Sequence, residues 1–320
     1  MCMDIVHKPV LLQECLKYLA PGIHNALMVD GTLGEGGHSE AFLEQFPKLR
    51  IIGVDADIRI QARARERLAP FGDRICFYAG WSHDFFNEYP AGEKRPDIIL
   101  MDLGISLFHY EKSGRGFSFR TDEPLDMRLD PSSGISAADI VNSYTEKDLA
   151  DLIYLYGEEQ YSRRIAKSIC EARKSSKFST ARALAECIYS AVPAQYRHGR
   201  IHPATKTFQA LRIAVNGELE KLPYLLESAF SVLEPAGKLG VITFHSLEDR
   251  IVKNYFRELG KNCTCTPEMP ICKCGGKPRA QVLTRKAVGP TDAEIADNSP
   301  SRSAKLRVVQ KIRYGEESVC

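Results

Sequence analysis

The sequence predicts a Rossmann-like α/β chain, a parallel sheet covered by helices and interrupted by a mostly helical insert. Three observations carry this reading. Residues 29–39, Val29-Asp30-Gly31-Thr32-Leu33-Gly34-Glu35-Gly36-Gly37-His38-Ser39, are a glycine-rich stretch between an apolar run and a helical pattern. Short apolar runs and helical patterns then alternate to about residue 101, the rhythm of βαβ units with right-handed crossovers. Beyond Asp102 that rhythm breaks, and it resumes only near residue 222.

In chain order, residues 10–19 read as a short helix. Residues 26–29, Ala-Leu-Met-Val, read as a buried strand ending on Asp30. Residues 41–46 have helical spacing and stop at Pro47. Three further apolar runs read as strands: 51–54, ending on Asp55; 75–78, shortly before Trp81; and 97–101, ending on Asp102. In parallel sheets ligands sit outside the carboxyl ends of the strands, so Asp30, Asp55, Trp81 and Asp102 are expected to gather there. Leu103-Gly104-Ile105-Ser106 then leads into a Gly/Arg/Pro-rich passage, 111–134, without periodicity. Thr145 and Asp148 have capping-box spacing, and Leu149, Leu152, Ile153 and Tyr156 mark one helix face. Ile165 with Ile169, Leu184 with Ile188, and Phe208 with Leu211 and Val215 mark three more helices. The expected division is a discontinuous core, 1–106 and 218–320, around an inserted helical domain, 107–217. In the second half of the core, residues 222–233 and 248–259 read as helices. Residues 239–244 and 305–310 read as strands.

The glycine spacing discriminates between cofactors. A dinucleotide fingerprint requires G-x-G-x-x-G after the strand, and Gly34-Glu35-Gly36-Gly37-His38-Ser39 lacks the final glycine. An acid at the first strand end suits an amino group, and one at the second suits a ribose diol. S-adenosylmethionine carries both. Taken alone, the stretch also fits a glycine-rich turn in another α/β protein.

No apolar run approaches the roughly 18 residues of a membrane span. The N-terminus lacks a secretory pattern, and ten cysteines then imply reduced thiols in the cytoplasm. Net charge is only +2, yet residues 160–217 carry 11 Lys/Arg against 2 Asp/Glu, and 260–315 carry 11 against 4. Such asymmetry points to a polyanionic partner, nucleic acid above all. A solvated helical face is the plainer alternative.

Ten stretches together are specific enough to name a family: HKPVLL (7–12), VDGTLGEGGHS (29–39), GVDAD (53–57), MDLGIS (101–106), RGFSFR (115–120), PLDMR (124–128), YGEEQYSRRIA (156–166), HPATKTFQALRIAVNGEL (202–219), FHSLEDRIVK (244–253) and SRSAKLRV (301–308). In this order they resemble the RsmH (MraW) family of bacterial 16S rRNA cytosine-N4 methyltransferases. The resemblance implies a class I S-adenosylmethionine-dependent methyltransferase core with an inserted, mostly helical substrate-recognition domain. It implies as substrate the exocyclic amine of a P-site cytidine in the decoding centre of the small ribosomal subunit. Family cofactor contacts carry over to Gly36, Gly37, His38, Asp55, Trp81, Asp102 and His109, beside Asp30 and Gly34 from the residues themselves. At His109 the family shows Gln, and at Leu107 and Phe108 it usually shows Ser-Pro, which puts a contact by His109 in doubt.

Methyl transfer to a cytosine amine needs nitrogen, methyl carbon and sulfur held in line, and acceptors for the amine protons. Candidates near the base are Ser106, Asp126, Phe244 and His245. For Asp126 the plainer reading is a cap or salt bridge, and for His245 a structural histidine. Phosphate contacts are expected among Arg163, Arg164, Lys167, Arg173, Lys174, Arg197, Arg200, Lys206 and Arg212, about half of them touching RNA. Cys263, Cys265, Cys272 and Cys274 supply the four thiolates a zinc ion takes, but C-x-C pairs are less diagnostic than C-x-x-C, and beside Pro267 and Pro270 they read more readily as a shaped loop with free thiols. Other readings are a methyltransferase acting on another RNA or on DNA, and a non-catalytic RNA-binding or ribosome-assembly factor. A homodimer is compatible with the sequence.

Overall fold

The computed structural model describes residues 8–132, 134–199, 201–263, 265, 269, 271 and 276–314. Within them β1 (Leu27–Asp30), β2 (Arg50–Asp55), β3 (Ile75–Ala79), β4 (Ile98–Asp102), β5 (Lys238–Thr243), β6 (Ala280–Val282) and β7 (Lys305–Lys311) form one sheet. Its order is β3-β2-β1-β4-β5-β7-β6. The first five strands pair in parallel, and β7 runs antiparallel to both neighbours. All six expected strands are present. The three-residue β6 was not expected, and an apolar run carries no information on the reversed direction of β7.

The chain divides into two compact units, Met1–Gly104 with Lys221–Cys320, and Ile105–Glu220. In the first, alternate strand residues feed two cores, which is why β1 and β4 are nearly continuous apolar runs. Met28, Ile51, Leu100 and Ile242 pack with Leu11, Leu16, Phe42 and Leu43. Val29, Val54, Ile99, Met101 and Val241 pack with Phe86, Leu226, Phe230 and Phe256. This sandwiching fixes the strand ends, and with them the site.

The second unit is helical: Ala137–Ser143, Glu146–Gly157, Ser162–Ala172, Ala181–Ala191 and Ala204–Asn216 surround a core containing Ile140, Leu149, Ile153, Ile165, Ile169, Leu184, Ile188 and Leu211. The Asp148 N–H donates to the Thr145 hydroxyl at the start of Glu146–Gly157, as its spacing predicts. The passage before these helices is irregular but pinned. Gly116 has φ +72°, and a Cβ there would stand 2.2 Å from the Pro124 carbonyl oxygen, so glycine is required. Arg115 donates to the Arg128 and Leu129 carbonyls, and Asn216 donates to that of Met127. No described helix is long and apolar enough to cross a membrane.

Candidate active site

Parallel register brings Asp30, Asp55 and Asp102 to the same edge of the sheet, at the ends of β1, β2 and β4. The glycine loop crosses these ends. Gly31 N–H donates to Leu100 O, Leu33 N–H to Val54 O and Gly36 N–H to Leu33 O. Gly36 has φ +80° and opens the helix Gly37–Gln45; a Cβ there would lie 2.9 Å from Leu68 Cδ1. The loop therefore depends on glycine for its backbone angle and for the close approach of its neighbour.

The carboxyl groups divide by environment. Asp30 is 2% exposed and accepts from the Ser39 hydroxyl at 2.7 Å. Burial raises it to about 6 against the pull of its hydrogen bonds. Burial raises Asp102 further, to about 7, helped by the charges of Asp30 and Glu248 and opposed by the Gly104 N–H. Two such acids resist ionising together, and a cation seated beside them would reverse both shifts. Asp55 instead accepts the Gly34 and Asp57 N–H groups, each at 2.8 Å, one on each oxygen. That tie holds the glycine loop to β2.

His38 Nε2 lies 2.9 Å from Val10 O, and burial lowers the ring to about 4. The imidazole is therefore neutral at pH 7, donates from Nε2, and braces the loop helix against the segment before the first helix. Pro9 of that segment lies against Gly37. Trp81 caps the helix Ser82–Asn87 after β3, half-buried, with Lys221 Nζ 5.1 Å from its ring centroid. The Ser82 hydroxyl donates to Gly31 O and ties this helix to the loop.

His245 caps the helix Ser246–Leu259 just beyond β5. Its Nδ1 accepts from Glu248 N–H at 3.4 Å, and its Nε2 lies 3.0 Å from Glu248 Oε1. Phe244 N–H donates to the other Glu248 oxygen at 2.9 Å. The Phe244 ring lies where a side chain at Gly104 would be, with the nearest ring atom 2.5 Å from an ideal Cβ.

Ser106, His109 and Asp126 belong to the second unit. Ser106 accepts from Phe108 N–H and caps Leu107–Glu111. His109 is buried, with Phe117 5.6 Å away between ring centroids. Asp126 accepts two guanidinium hydrogen bonds from Arg128, which hold it below the usual carboxylate range.

Among the expected phosphate contacts, Arg163, Arg164, Lys167 and Lys174 are exposed. Arg212 requires correction. It is buried and donates from Nε and Nη2 to both Glu218 oxygens at 2.9 and 2.8 Å, so its charge is already neutralised inside the unit. Arg173 donates to the Val141 and Tyr144 carbonyls, Lys206 to that of Glu158, and Arg197 to those of Val192 and Ser190. Arg200, Cys272 and Cys274 lie outside the described residues. Sequence reasoning passed over Thr32, whose hydroxyl accepts from Asp102 N–H at 2.6 Å, and Ser39 beside Asp30, although both stand in the stretch first singled out. It also passed over the ion pair of Glu35 with Arg63.

A family model described as the MraW methylase family matches residues 4–312. The chain belongs to that family. It is 68% identical over 314 residues to the ribosomal RNA small subunit methyltransferase H of Treponema denticola, covering 98% of this chain and 100% of that protein. The protein of the same name from Treponema pallidum is 45% identical over 97% of this chain and 94% of its own length. That from Carboxydothermus hydrogenoformans is 45% identical over 98% and 100%. The core is thus a class I methyltransferase fold, with β7 reversed between β5 and β6. In this MraW family member, Asp30, Asp55 and Asp102 are the acids at the edge of the sheet where such folds take their ligand.

Proposed function

We propose that this chain transfers a methyl group from S-adenosylmethionine to the exocyclic N4 amine of a P-site cytidine in the decoding centre of 16S rRNA. The observation that carries the reading is the pair of buried, reluctantly ionised carboxyls, Asp30 and Asp102, in a chain so close to a named small-subunit rRNA methyltransferase.

When bound, S-adenosylmethionine supplies an electrophilic methyl carbon on a sulfonium. Asp30 and Asp102 would face its positive groups, Asp55 the ribose diol and Trp81 the adenine, since an aromatic face offers a stacking surface. Gly34, Gly36 and Gly37 let the backbone come close, and His38 holds that backbone in place beside the ligand. The cytosine amine is a poor nucleophile because its lone pair is conjugated with the ring. Acceptors for its protons favour the pyramidal nitrogen of the transition state; Ser106 and Asp126 are the candidates for that role, and His245 is a positioning residue. His245 Nδ1 is spent on the Glu248 N–H, so in the neutral ring Nε2 carries the proton and faces Glu248; the residue holds the end of β5 in place rather than taking a proton. The helical unit, basic over residues 160–217, is the RNA-recognition domain of this reading, with Arg163, Arg164, Lys167 and Lys174 on phosphates.

The test is methyl transfer from labelled S-adenosylmethionine to naked 16S rRNA and to immature small subunits, followed by nuclease digestion and mass mapping. Label on N4 of one decoding-centre cytidine is expected. Label on another base, on other nucleic acid, or on none overturns the reading.

A further inference from the structure

Four side chains of the helical unit form a ladder that packing alone does not require. The Phe119 and His202 ring centroids are 4.6 Å apart and tilted by 31°. His202 and Tyr189 are stacked at 5.7 Å and 20°. The Arg197 guanidinium carbon lies 5.2 Å from the Tyr189 centroid. Three of the four rungs are held by further contacts of their own. Phe119 meets buried Phe208 edge-on at 5.0 Å, which anchors the ladder to the core. His202 Nδ1 accepts from Ala204 N–H at 3.2 Å, which sets the ring's rotation. Arg197 donates from Nε to Val192 O and from Nη2 to Ser190 O, which fixes its guanidinium beside Tyr189.

This arrangement spends the fork of Arg197 on carbonyls. A guanidinium so held is a poor partner for a phosphate but presents a flat cationic plane. His202 is exposed, and Phe119, Tyr189 and Arg197 are partly so. Exposed Arg182 stands seven residues before Tyr189 on the same helix face and reaches the Arg120 carbonyl; Glu186, between them, is the acid on that face. Burial holds His202 below its ordinary value, so at neutral pH the cation of the ladder is Arg197.

We propose that the Phe119–His202–Tyr189–Arg197 ladder is a stacking platform for an unpaired base of single-stranded RNA. Unpaired bases stack on aromatic rings and on arginine planes, and the contact tolerates any base. The proposal rests on the rRNA reading above and gives the helical unit a second mode of recognition, separate from the phosphate contacts of Arg163 and Arg164.

The experiment titrates the full chain into a short unstructured RNA carrying 2-aminopurine, at several salt concentrations. The wild type is expected to quench the fluorophore on binding. Tyr189→Leu and Arg197→Lys are each expected to bind about tenfold to a hundredfold more weakly and to lose the quenching. Tyr189→Leu should leave the salt slope unchanged, because no phosphate contact is lost. Tyr189→Phe should behave as wild type. Should Tyr189→Leu fail to fold, Arg197→Lys decides, since it keeps the charge and removes only the plane. Variants that keep both affinity and quenching, against a wild type with a normal salt slope, overturn the platform and leave the rRNA reading intact. A wild type that binds no RNA overturns both.

Discussion

Cofactor affinity should depend steeply on pH, and the two buried acids set where. Asp102 is raised to about 7 and Asp30 to about 6. A cationic ligand needs both ionised, so its binding expels whatever protons they hold. The sign follows: affinity is fully present above pH 7 and is lost as pH falls through 7 and then 6. Between pH 7 and pH 5 the proton competition weakens binding by roughly 50-fold through Asp102 and roughly 10-fold through Asp30. Together that is roughly 500-fold, or about 4 kcal/mol, when both acids face the positive groups. Isothermal titration with S-adenosylmethionine from pH 5 to 8, in buffers of differing ionisation heat, reads both the affinity and the protons released. Asp102→Asn should flatten the limb between pH 6 and 7 and leave the part due to Asp30. A flat profile, or tighter binding on acidification, would refute the assignment of these acids to a cation.

Four further outcomes follow from the same geometry. Gly36→Ala should lower stability by about 1–2 kcal/mol in a denaturant melt and cut cofactor affinity at least tenfold, because φ there is +80° and Leu68 is already in the way. His245→Asn keeps a good N-cap residue, so the melt should move by less than about 1 kcal/mol while the end of β5 loses the Nε2 contact to Glu248 and turnover falls about a hundredfold at unchanged cofactor affinity; wild-type turnover would remove His245 from the mechanism. Replacing Arg163 and Arg164 together by alanine should reduce the slope of log K against log salt for RNA by about 1–2 without altering the melt. Arg212→Ala should instead destabilise the fold by about 2–3 kcal/mol, since it leaves Glu218 without its buried partner.

What the sequence made legible is what burial imposes. Strands covered on both faces must be apolar runs, and a carboxylate at the end of each run is conspicuous, so β1, β2 and β4 and their acids could be read directly. β6 could not: it is three residues long with exposed Gln281 at its centre, and it is held by pairing to β7. Charge counting saw Arg212 as one cation among eleven, because composition does not distinguish a solvated guanidinium from one buried against Glu218. Asp126 and His245 were singled out as reactive groups, yet each has a local partner, Arg128 two residues on and Glu248 three residues on. The second of these spacings is that of a capping box. Thr32 and Ser39 escaped notice because a hydroxyl in a glycine loop belongs to no periodic pattern.

The account turns on the claim that acids at the strand ends seat a sulfonium donor. A crystal structure of the chain with S-adenosylmethionine tests it most directly. The expected result is a positive group of the ligand within ion-pair distance of Asp30 or Asp102, the ribose on Asp55 and the adenine on Trp81. A ligand bound away from these residues, or a nicotinamide dinucleotide taking that place in its stead, would contradict it.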